Sequence, residues 1–190
     1  MTVMKCRLRL RHPADAGFTL IELLIIVALV GVLSAIAMVG YRYWMKSART
    51  GETKDLVQAI MFGQHNYHAD NDGYLDCSSS WTDFYPLALG PDGAKHPFHN
   101  PSHADYACWQ LLAPDTDAPT YASFTVRAGI PKSVVPQPPF GTLQNWPPAT
   151  WTGAWYIVLA TLDQDGDKDF GYLVGSAFAP NTIIGHKETE

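Results

Sequence analysis

Charge is scarce in this sequence. Asp, Glu, Lys and Arg together make up 16% of its 190 residues, and the net charge is −5. A mildly acidic chain without a basic patch is a poor partner for nucleic acid, which is held by clustered Lys and Arg. Catalytic signatures are also missing. The sequence has no phosphate-binding loop, no G-x-S-x-G, no C-x-x-C-H and no H-E-x-x-H, so nucleotide hydrolysis, Ser-based acyl transfer, haem attachment and zinc proteolysis have no local support. Nothing points to an enzyme. Only three cysteines are present, Cys6, Cys77 and Cys108, too few for a domain held together by a disulfide framework. No internal repeat is evident. The length allows one domain plus an appendage.

The few charges are unevenly placed. Lys5, Arg7, Arg9 and Arg11 face only Asp15 ahead of residue 18, giving residues 1–17 a net +3 and leaving −8 on the rest. A basic start before an apolar run is a targeting pattern, and the positive-inside rule holds it in the cytoplasm. The run itself, residues 18–41, reads FTLIELLIIVALVGVLSAIAMVGY, with Glu22 as its one charged residue. As a helix it reaches about 36 Å at 1.5 Å per residue, enough to cross a hydrocarbon core about 30 Å thick. A secretory signal peptide would be shorter and followed by a small-x-small cleavage site. A plain membrane anchor leaves Glu22 unexplained, because a carboxylate at mid-membrane costs about 2.5–3.5 kcal/mol. Gly31 and Ala35 lie four apart on one face, a spacing that lets helices approach closely in an apolar medium.

Gly17-Phe18-Thr19-Leu20-Ile21-Glu22, preceded by a basic leader and followed by about twenty apolar residues, resembles the prepilin cleavage and methylation motif. Type IV pilins and type II secretion pseudopilins share it. The resemblance implies a precursor cut after Gly17 by a prepilin peptidase, which then methylates the new amine of Phe18. It implies that Glu22 pairs with the Phe18 amine of a neighbouring subunit during filament assembly. The implied partners are the peptidase, other pilin or pseudopilin subunits, an inner-membrane assembly platform and the bilayer. The implied location is a bacterial inner membrane, crossed once, with the head periplasmic and later part of a surface pilus or a periplasmic pseudopilus. One position departs from the pattern. Where many family members carry Pro, this chain has Val39 followed by Gly40, and Gly weakens a helix by about 1 kcal/mol relative to Ala.

Past residue 41 the pattern stays helical. Trp44, Ala48, Leu56, Ile60 and Tyr67 keep helical spacing, and Asp70-Asn71-Asp72-Gly73 supplies a stop. The spacing predicts one helix over about residues 18–68 whose second half lies on a head. Strands are expected at 122–128, 154–162, 170–178 and 182–185, with an extended Pro-rich loop at 130–148. The expected organisation is a leader 1–17, a membrane or filament-core helix 18–41, an amphipathic continuation 42–70 and a β-rich head 71–190. The fold class is α+β and pilin-like, a long N-terminal helix against a small antiparallel sheet.

Cys6 leaves with the leader, so Cys77 and Cys108 remain as an even pair in an exported head. They are expected to form a disulfide, the alternative being two buried thiols. Asp163, Asp165, Asp167 and Asp169 alternate through the turn between two strands. They are candidate calcium ligands; similar turns recur in pilins and pseudopilins, some of which bind calcium. The bland alternative is a solvated hairpin turn that favours Asp and Gly for geometry. No cofactor is required. His96, His99 and His103 have metal-like spacing, but Pro97 and Pro101 break any helix that would gather them. Trp109 and Trp155 are expected in the core. Trp146 and Trp151, among prolines, are candidates for an exposed adhesive surface. The leading function is a structural subunit of a type IV pilus, major or minor. A pseudopilin is the alternative. A third possibility is a membrane-tethered binding protein that uses the motif for export alone.

Overall fold

The computed structural model describes residues 17–113, 118–140, 148–149 and 151–187. The leader with Cys6 lies outside them apart from Gly17, as do part of the Pro-rich loop and Trp146. One helix, α1, runs over Leu20–Asn71. The chain divides at residue 42 into two compact units, described in turn.

In the first unit α1 is apolar on all sides and every described residue is exposed. No proline interrupts the helix, so each of its interior amides has a carbonyl within the same segment, the condition for crossing lipid. Gly40 leaves it unbroken.

In the second unit one face of α1 becomes a stripe: Thr50, Thr53, Leu56, Val57, Ile60, Met61, Gly63 and Gln64 are buried, the three-and-four spacing of a helix lying on a core. The Asp72 N–H still donates to the His68 carbonyl at 2.9 Å, and the positive φ of Asp72, 54°, then turns the chain out of the helix. The core beneath the stripe is an antiparallel meander of β1 (Ser123–Gly129), β2 (Trp155–Leu162), β3 (Gly171–Ser176) and β4 (Ile184–His186), in that order. Side chains alternate between its faces. Phe124, Val126, Tyr156, Val158 and Leu173 meet Leu56, Val57 and Ile60 of α1. Trp155, Ile157, Leu159 and Val174 form a second cluster with Val135 on the other face, bordered by Phe140, Trp151 and Phe178. The described part of the Pro-rich segment therefore covers the sheet, and this is why β2 is buried along its whole length.

Two glycines set the closeness of this packing. A methyl on Gly63 would overlap the Leu112 carbonyl of α2 (Tyr106–Leu112), and one on Gly175 would overlap Met61. The α2 helix was not expected from the sequence. The Cys77–Cys108 disulfide, with 5.6 Å between Cα atoms, ties it to the segment after α1. That segment is irregular but satisfied. The buried Gln64 amide donates to the Leu75 carbonyl at 2.7 Å and accepts from its N–H at 2.9 Å. Backbone pairs join Tyr85 to Phe124 and His96 to Thr120.

Candidate functional site

The N-terminal segment is organised around Thr19 and Glu22. The Glu22 amide donates to Thr19 Oγ1 at 3.2 Å, and both the Thr19 amide and hydroxyl lie 3.5 Å from Glu22 Oε2. This is a capping box, in which side chains three residues apart satisfy donors that the first turn of a helix leaves open. The T-x-x-E spacing was readable in the sequence, yet only Glu22 stood out there. Its carboxylate also sits at the positive end of the helix dipole. Gly17 and Phe18 immediately precede the cap and have no regular structure, so the Gly17–Phe18 peptide bond is not locked into a helical ladder.

Beyond the cap, large apolar side chains from Phe18 to Trp44 are between 44 and 89% exposed. Gly31 has nothing within 4 Å of an added methyl, so this surface can accept a close neighbour.

The acidic turn between β2 and β3 docks on α1. Lys46 donates to Asp165 at 3.0 Å, Arg49 to the Gln164 carbonyl at 3.4 Å, and the Gln164 amide to the Thr50 hydroxyl at 3.1 Å. The Lys46 ammonium hydrogen-bonded to Asp165 holds its carboxyl below the usual range. Arg49 also stacks over the Tyr121 ring at 4.2 Å. Oxygens of Asp163, Asp165 and Asp167 come within 4.8 Å of one another. Calcium takes six to eight oxygens, and protein donors already serve part of this set. Asp163 is buried and accepts the Gly166 and Lys168 amides at 2.7 and 3.3 Å. Asp169 stands outside the trio and accepts from Lys187 at 2.7 Å.

The histidines do not converge among the described residues. His96 binds Asp92 at 2.8 Å, and His103 binds the Phe84 carbonyl at 2.9 Å. Trp109 and Trp155 are in the core. Trp151 is half-buried, its ring 5.1 Å from that of Phe178, while Trp146 lies outside the described residues.

Residues 13–38 match the family described as the prokaryotic N-terminal methylation motif. Over 65 residues the chain is 35% identical to the type IV major pilin protein PilA of Myxococcus xanthus (strain DK1622), covering 34% of this chain and 30% of that protein. Over 93 residues it is 30% identical to a fimbrial protein of Moraxella nonliquefaciens, covering 48% of this chain and 60% of the relative. The chain thus spans less than two thirds of the length of either relative. No solved structure matches it. The motif and these relatives make part of the chain similar to type IV pilins and fimbrial proteins.

Proposed function

We propose that this pilin-like chain is a structural subunit of a type IV pilus. It is made as a precursor, cut after Gly17 by a prepilin peptidase and methylated on Phe18. It waits in the bacterial inner membrane with its head in the periplasm. It then joins other pilin subunits at an inner-membrane assembly platform. The observation that carries this reading is the run of exposed apolar side chains on α1 between Phe18 and Trp44. Each side chain of this kind loses about 1.5–3 kcal/mol if left in water. Lipid covers such a surface before assembly, and the helices of other copies cover it afterwards.

Both environments are apolar, so hydrophobic burial does little to drive the transfer between them. Close packing and polar pairing must supply the difference. Cleavage creates the needed charge: Phe18 carries a neutral amide nitrogen before the cut and a cationic amine after it, and a methyl group leaves that charge in place. The Glu22 carboxylate is the matching anion. Pairing removes the penalty that each charge would meet alone in an apolar core. The oxidising periplasm suits the Cys77–Cys108 disulfide.

Shearing cells that express the chain and probing the sheared filaments and the envelope separately tests this role. A pilus subunit is recovered in the filaments. Recovery of the processed chain from the envelope alone would favour a pseudopilin.

A further inference from the structure

We infer that residues 130–134 of one copy of this chain dock in the groove between α1 and α2 of a second copy, head to tail. This contact rests on the reading of the chain as a filament subunit and names the surfaces through which its heads meet.

Exposure picks out the two surfaces. Past Trp44, the large apolar side chains that stand exposed among the described residues are Phe62, Leu89, Leu111, Ile130 and Val134. All but Leu89 fall into two patches. Phe62 and Leu111 border a groove of about 480 Å³, lined also by Tyr67 and Asp70. Its floor is the close approach of Gly63 to the Leu112 carbonyl. A groove of this size is in the range that receives a compact ligand, so it has room for a few side chains. Ile130 and Val134 flank a turn that follows β1.

The turn is held in shape before any partner arrives. The Ser133 N–H and hydroxyl both donate to the Ile130 carbonyl, at 3.2 and 2.6 Å. The Trp155 indole N–H donates to the Ser133 hydroxyl at 2.8 Å, and the Lys132 N–H donates to the Trp151 carbonyl at 2.7 Å. Lys132 has a φ of 65°. A turn with Pro at its first central position and positive φ at its second usually carries Gly or Asn there, because side chains seldom adopt that backbone. Lysine at that place puts an ammonium between Ile130 and Val134 in the sequence. A surface fixed in advance loses little freedom on binding.

Charge points to the occupant. The groove carries the Asp70 carboxylate with Phe62 and Leu111, and the turn carries Lys132 with Ile130 and Val134. Among the described residues neither Asp70 nor Lys132 has an ion-pair partner. None of residues 130–134 lines the groove of its own chain. Apolar burial would supply attraction, and the opposite charges would fix register. Two complementary patches at different places on one molecule make a heterologous contact, which repeats into a ring or an open filament, whereas one self-complementary patch stops at a dimer.

The test is bismaleimide cross-linking of cells that express the full chain with added cysteines. Asn66→Cys puts a thiol in the groove and Val134→Cys puts one on the turn. The wild-type chain is the blank. The double variant is expected to give a ladder of multimers, and each single variant monomer alone. In the double-cysteine background, Lys132→Asp or Asp70→Lys is expected to weaken the ladder about fivefold, and the two together to restore it. Asp tolerates positive φ, and Lys suits the last turn of a helix, so neither change threatens the fold. Multimers from a single variant, a ladder indifferent to both charge reversals, or no rescue by the pair would overturn the contact. So would the absence of a ladder. If the wild-type chain is nonetheless recovered in sheared filaments, the pilus reading survives that loss. A ladder in the envelope with no chain in sheared filaments would keep the contact and defeat the surface pilus.

Discussion

The Thr19 hydroxyl and the Thr19 amide lie at the same 3.5 Å from one Glu22 carboxylate oxygen. The acid proposed to pair with a neighbouring subunit therefore also caps its own helix, and the two roles can be separated. Gln keeps the capping geometry but has no charge. Glu22→Gln is expected to be cleaved normally and to be excluded from filaments as completely as Glu22→Ala. Thr19→Ala removes a cap worth about 1 kcal/mol and is expected to retain most assembly. Quantifying each variant in sheared filaments checks this, and wild-type incorporation of Glu22→Gln would sink the charge-pairing argument.

Gly17→Ala isolates the processing step. A methyl there meets no atom of the described residues within 4 Å, so the substitution is expected to leave the described fold alone and to act on the peptidase step. Uncleaved precursor is expected to accumulate, visible as a slower band in an envelope blot.

The Cys77–Cys108 bridge closes a loop of sequence separation 31. Replacing both cysteines by Ser is expected to destabilise the head by about 2–4 kcal/mol. Thermal melting of the whole chain in detergent would show it as a lower midpoint.

The α1–α2 contact at Gly63 makes a sharper demand. Gly63→Ala places a methyl into the Leu112 backbone, whereas Gly175→Ala meets chiefly the flexible Met61 side chain. Overpacking costs about 1–3 kcal/mol, and Gly63→Ala is expected at the upper end, Gly175→Ala below it. Equal melting points for the two would contradict the packing described.

Much of this fold could be read from local pattern. The apolar run, the helical stripe through Leu56 and Ile60, and the stop at residues 70–73 located α1, observed as Leu20–Asn71. Alternation and turn residues located the four strands to within one or two residues. What escaped has a physical reason in each case. The seven residues of α2 carry too little period to announce a helix, and Cys108 and Trp109 hold it by contacts remote in sequence. Trp151 looked exposed because prolines surround it, yet its ring packs on Phe178 beside the second core cluster. At the N-terminus the motif marked Gly17, Phe18 and Glu22 directly, and Thr19 was missed as the partner in the cap. Lys46 and Asp165 are 119 residues apart, and no local pattern foretells such a pair.

That ion pair gives the docking of the acidic turn a pH dependence. The Asp165 carboxyl is held below its ordinary value by the Lys46 hydrogen bond, so its contribution is present above the unfolded-state value and is lost as pH falls through the folded one. Lys46→Met is expected to lower the melting midpoint at neutral pH. The gap to wild type should close in acid, below the usual carboxylate range. A gap that stays constant across that range would mean that Lys46 acts through its packing alone.

Processing and assembly meet in the intact mass of the chain recovered from sheared surface filaments. The expected dominant species begins at a methylated Phe18 and is two hydrogens lighter than the dithiol form, for the Cys77–Cys108 bridge. A dominant species that retains residues 1–17 or begins at another residue, or a filament fraction that lacks the chain altogether, would contradict a pilus subunit cut after Gly17.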